Sequence, residues 1–72
     1  MEYEKVDLGN GFFMLKRRRV FLFIFRFDWE CLDLINREYW WSGDDLGRYI
    51  NDCITQDEKM IDSLMNIYKR ML

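Results

Sequence analysis

The hydrophobic period of this 72-residue chain changes once, near Ser42. Ahead of that point apolar and polar residues alternate, as on a half-buried strand. Beyond it they recur every three to four residues, as on one face of a helix. No linker, repeat or low-complexity tract separates the halves. The expected fold is therefore one compact α+β domain over residues 1–72. A small antiparallel sheet of three to five strands, within about residues 2–41, is followed by two antiparallel helices. These cover about 43–54 and 56–71 and pack on one sheet face.

The strand signals differ in quality. From Glu2 to Leu8, Tyr3, Lys5 and Asp7 alternate with Glu4, Val6 and Leu8. Gly9-Asn10-Gly11 follows, and Asn-Gly favours a tight hairpin because both residues tolerate positive φ. Phe12 to Lys16 is the return strand. Val20 to Phe27 reads as a strand apolar on both faces until Arg26, hence central and covered or lining an interface. Lys16-Arg17-Arg18-Arg19 lacks Gly, Asn or Asp, so a loose connection with its charges in water is expected there. Cys31 to Ile35 is a further strand, turned by Asn36-Arg37-Glu38 into Tyr39-Trp40-Trp41.

The helices carry clearer punctuation. Ser42 is an N-cap candidate, with Asp44 and Asp45 placed to suit the positive end of the helix dipole. Leu46, Tyr49, Ile50, Cys53 and Ile54 form an apolar stripe, interrupted on the helix by Gly47. Thr55-Gln56-Asp57-Glu58 has the form of a capping box. Ile61, Leu64, Met65, Tyr68 and Leu72 make the second stripe. Met60, Ile67 and Met71 widen it beyond what one sheet face needs.

A chain this short buries only about 60% of its unfolded surface, so a staple is worth seeking. Cys31 and Cys53 form neither a secreted disulfide framework nor a paired zinc-ligand spacing. Each sits in an apolar pattern, so buried free thiols in a reducing cytoplasm are expected. The longest apolar run, Val20 to Phe25, is six residues. A transmembrane helix needs about 20, so no membrane partner is expected.

Catalytic chemistry is hard to place. The chain has no histidine, which removes Ser-His and Cys-His nucleophiles, and it has no glycine-rich phosphate loop. Asp28, Glu30 and Asp33 gather around Trp29. Two of them could work as acid and base or hold Mg²⁺, but a solvated strand edge and turn accounts for them as simply. The expectation is no enzyme, no cofactor, no metal and no small-molecule substrate.

Macromolecular binding remains, in three forms. The first is a protein target, met by the sheet's uncovered aromatic face, the Tyr39-Trp40-Trp41 corner and the Arg17, Arg18 and Arg19 tip. The second is nucleic acid, with the same arginines on phosphates and the aromatics on bases. Val20 to Phe27 lacks the glycines of an RNA-recognition strand. The net charge of −2 and pI near 5.0 are not a generic nucleic-acid footprint either. The third is a structural homo-oligomer, a homodimer for example, associating through the last helix.

In size and lack of chemistry, the chain resembles the small inhibitor proteins of phages and mobile elements. The resemblance attaches to no particular residue. It implies a stoichiometric inhibitor or modulator of a larger protein, such as an anti-defence or anti-CRISPR protein, acting by occupying a surface.

Overall fold

The computed structural model describes residues 1–21, 25, 26 and 28–71. Strands β1 (Glu2–Gly9) and β2 (Phe12–Arg18) form the hairpin that organises the sheet. Asn10 and Gly11, at φ 54° and 81°, make its two-residue loop. Gly9, also at φ 81°, absorbs a register shift after Asp7. A side chain would strain the backbone at the glycine positions. Asp7 Oδ1 closes the turn by accepting from Gly9 N at 2.8 Å.

Val20 to Phe27 does not form the central strand expected of it. β3 (Val20–Phe21) and β4 (Phe25–Arg26) pair antiparallel with each other, as a separate two-stranded ladder. Leu22, Phe23, Ile24 and Phe27 lie outside the described residues. A run apolar at nearly every position carries no period, so it fits a folded-back ribbon as well as one long strand. The place beside β2 goes instead to β5 (Glu30–Leu32), followed by β6 (Trp40–Trp41). The resulting four-stranded antiparallel sheet has the order β1-β2-β5-β6.

Helix α1 (Gly43–Tyr49) runs into a 3-10 turn, Ile50–Asp52, and α2 (Glu58–Arg70) follows. Ser42 precedes α1 in extended conformation but makes no side-chain cap bond. Thr55 does not cap α2. Its main chain exchanges two hydrogen bonds with Phe13, at 2.7 and 3.0 Å, as an isolated bridge onto β2. That bridge holds Thr55 out of the helix. Asp57 takes over as N-cap, accepting from Met60 N at 3.0 Å.

The helices pack against the sheet, but on opposite faces. Neighbouring residues on a strand point to opposite sides. Leu15 and Leu32 meet Ile61 and Leu64 of α2, with Phe13, Trp40 and Tyr68 around them. Their strand neighbours Met14 and Cys31 meet Cys53, with Leu46, Ile50 and Ile54 around them. Met14/Leu15, Cys31/Leu32 and Trp40/Trp41 thus make both faces apolar. One helix cannot cover both, so each face takes its own. No bare aromatic sheet face remains among the described residues of this sheet. Leu15, Leu32, Ile61 and Cys53 have no exposed surface.

Candidate interaction surface

The arginine run is strand, not a splayed tip. Arg17 and Arg18 belong to β2, so they leave the sheet on opposite sides. Arg17 Nε bonds Glu30 Oε1 at 3.3 Å, and its guanidinium lies 4.0 Å from the Trp40 ring centroid. On the other face Arg18 Nε reaches Glu2 at 2.6 Å and Lys16 Nζ reaches Glu4 at 3.4 Å. Both cations cover the Trp29 ring, at 4.3 and 4.0 Å. Arg19 is exposed beyond the end of β2. Cross-strand opposite charges and rings therefore engage Lys16, Arg17 and Arg18 inside the fold, and the positive field expected there is largely neutralised.

The tryptophan corner divides in the same way. Trp40 faces α2, edge-on to Tyr3 and Tyr68 at centroid distances of 6.1 and 5.4 Å. Trp41 faces α1 and stacks between Tyr39 at 5.4 Å and Tyr49 at 4.3 Å. Both tryptophans are half-buried, while Tyr39 is 49% exposed. Of this trio Tyr39 is the ring presented outward, stacked on Trp41, while Trp40 packs on the opposite face of the sheet.

Asp33 organises the loop between β5 and β6. Although only 6% exposed, it is fully used. Oδ1 accepts from Ile35 N and Asn36 N, both at 2.9 Å, and Oδ2 accepts from Trp41 Nε1 at 3.0 Å. These bonds, that from Asn36 N foremost, lower its pKa below the usual carboxylate value against the opposing effect of desolvation. The loop is tied further by Leu34 N to Asp52 O at 2.8 Å and Asp33 N to Tyr39 O at 2.9 Å. At its apex Ile35 is 79% exposed. The strand expected to run to Ile35 stops at Leu32, because Asp33 draws the following N–H groups into an Asx-type turn. Ile35 was not among the sequence candidates. The signal for it was Asp33 two residues before an isoleucine and three before Asn36.

The carboxylates around Trp29 are not assembled as an acid–base pair. Glu30 faces Arg17, Asp33 serves the loop, and Asp28 is exposed. Cys31 and Cys53 are free and buried. Burial raises both thiols, Cys53 to about 12, while Lys16 partly opposes the rise at Cys31. No group of three or more potential metal ligands occurs among the described residues. None of the described helices is long and apolar enough to cross a membrane.

An open groove of about 500 Å³ lies between the hairpin tip and the 3-10 turn. It is lined by Leu8, Gly9, Asn10, Phe12, Asn51 and Ile54, none of them ionisable. Elsewhere Ile67 on α2 and Met71, its C-cap, are exposed, at 54% and 75%.

No family model, curated protein or solved structure matches this chain.

Proposed function

We propose that this chain is a non-enzymatic protein-binding module, a stoichiometric inhibitor or modulator that acts by occupying a surface of a larger protein. The observation that carries the reading is the Ile35–Tyr39 corner. A nearly fully exposed β-branched side chain stands on a loop whose backbone is tied down by a buried carboxylate. Tyr39 closes the same loop, its ring stacked on Trp41. A loop whose backbone is already ordered avoids part of the loop-ordering cost that binding otherwise carries. Charged residues flank the corner at Arg37 and Glu38, as at the rim of a protein interface. The internal pairing of Lys16, Arg17 and Arg18 weighs against nucleic acid.

The test is affinity capture from bacterial lysate, with and without nuclease, using the wild type and Ile35→Asp. The expected result is one stoichiometric protein that survives nuclease and is lost with the variant. Captured material that disappears with nuclease would refute the reading. Equal capture by Ile35→Asp would remove the corner as the contact.

A homo-oligomer through α2 is the second reading, favoured by exposed Ile67 and Met71 one helical turn apart. It predicts self-association in sedimentation velocity that Ile67→Glu abolishes.

A further inference from the structure

Asn10-Gly11 is the one Asn-Gly pair in the chain, and it forms the loop between β1 and β2. Asparagine followed by glycine is a self-reactive pair. The main-chain nitrogen of the second residue can attack the side-chain carbonyl carbon of the first and close a five-membered imide. Asparagine counts among the thermolabile residues. A side chain on the second residue, above all a β-branched one, crowds that attack, and glycine carries none. Hydrogen bonds that hold either reacting group also oppose it.

The fold leaves both groups open. Asn10 and Gly11 are exposed at the hairpin tip. Among the described residues the Asn10 carboxamide makes no hydrogen bond, and the Gly11 N–H has no turn or loop partner. A Cβ placed on Gly11 would meet nothing within 4 Å, so the loop has room to turn. The strand ladder resumes at Gly9 and Phe12, and rotation within the loop leaves it intact. The other three asparagines are placed less favourably. Asn36 is followed by arginine, and its Oδ1 accepts from Glu38 N at 3.3 Å. Asn51 lies in the 3-10 turn ahead of Asp52. Asn66 lies inside α2, ahead of β-branched Ile67.

We propose that Asn10 is a modification site, at which spontaneous loss of ammonia converts the hairpin loop into aspartyl and isoaspartyl forms. The Gly11 nitrogen forms a bond to Asn10 Cγ and the Cγ–Nδ2 bond breaks. Nδ2 leaves as ammonia, taking the proton that the Gly11 nitrogen gives up. Water then opens the imide. Cleavage of the new N–Cγ bond gives aspartate. Cleavage of the original peptide bond gives isoaspartate, whose main chain is one carbon longer. Water is the only co-reactant, and nothing is oxidised or reduced.

Both products add one negative charge to a chain of net charge −2. The groove that Asn10 lines with Leu8, Phe12 and Ile54 thereby gains a carboxylate. The two products differ in their backbone. Aspartate tolerates positive φ as asparagine does, so the loop keeps its form. The longer isoaspartyl link does not match a two-residue loop, and loop length sets the register of a hairpin. The isoaspartyl form therefore loosens the hairpin that organises the sheet.

The test incubates the full chain at mildly alkaline pH and follows it by intact mass and peptide mapping. Isoaspartate is counted by methyl transfer from S-adenosylmethionine with a purified isoaspartyl methyltransferase. Conversion is expected at Asn10 about tenfold or more faster than at Asn36, Asn51 or Asn66, and faster as pH rises. The isolated isoaspartyl form should unfold at lower urea than the wild type, while Asn10→Asp should stay close to the wild-type midpoint. Conversion no faster at Asn10 than at the other asparagines would overturn the proposal. So would an Asn10 that stays intact in the folded chain and converts only in urea. An isoaspartyl form with the wild-type urea midpoint would overturn the effect assigned to the longer link.

Discussion

Replacing Asp33 by asparagine tests the central structural argument. The variant keeps nearly the same shape, and one carboxamide oxygen can still accept from Ile35 N and Asn36 N. The NH₂ group then faces the Trp41 indole N–H, donor against donor, where Oδ2 had accepted at 3.0 Å. Flipping the amide repairs that contact and breaks the other two. A hydrogen bond to a charged group contributes about 1.5–3 kcal/mol, and a buried donor left without a partner costs about 1–3 kcal/mol. The expected loss is therefore about 2 kcal/mol at neutral pH, or about 8–16 °C in Tm for a domain of this size.

The assay is urea unfolding followed by tryptophan fluorescence, repeated across pH. The native state holds the Asp33 pKa below its unfolded value. Its contribution is thus fully present above the unfolded value, near 3.9, and fades as pH falls through the native one. The gap between wild type and Asp33→Asn should be flat at neutral pH and narrow progressively below about pH 4. A neutral-pH difference under about 0.5 kcal/mol, the range of ordinary surface changes, would refute the role given to Asp33. A gap that stays constant into acid would do the same.

Other outcomes follow from the packing and the backbone. Leu32→Ala should cost about 2–5 kcal/mol in the same unfolding assay, since Leu32 is completely buried between β5 and α2. Gly11→Ala should destabilise by about 1–2 kcal/mol because of its positive φ. Gly47→Ala on α1 should stabilise by about 0.5–1 kcal/mol, because an added Cβ there meets nothing within 4 Å. A Cys31→Ser variant should leave Cys53 unreactive towards a colorimetric disulfide reagent at pH 8 in the folded chain, since its pKa is raised to about 12. Reaction should become rapid once urea unfolds the protein. Rapid labelling in buffer would place that thiol outside the core.

The comparison between sequence and structure turns on which interactions are local. Asn10-Gly11, the alternation of Glu2 to Leu8 and the stripes of both helices were legible because their physics is carried by φ preference and side-chain period. So were the α+β class and the buried free cysteines. The capping box failed because Thr55 is claimed by Phe13, 42 positions earlier in the chain. The Val20–Phe27 run failed because a stretch without a period does not state its strand partner. The expected basic tip failed because strand residues alternate sides: the ladder continues through Arg18 and shares out its cations among Glu2, Glu4 and Glu30.

The sequence by itself determined the types of element, their order and most of their turns, all consequences of forces between near neighbours. Only the tertiary structure decided that β5 pairs with β2, that each helix takes its own sheet face, and that Trp40 and Trp41 support the fold. It likewise decided that Asp33 leaves Ile35 exposed and that the groove closes against the 3-10 turn. These depend on contacts between residues far apart in the chain, where the best total burial and charge pairing prevails over any local preference.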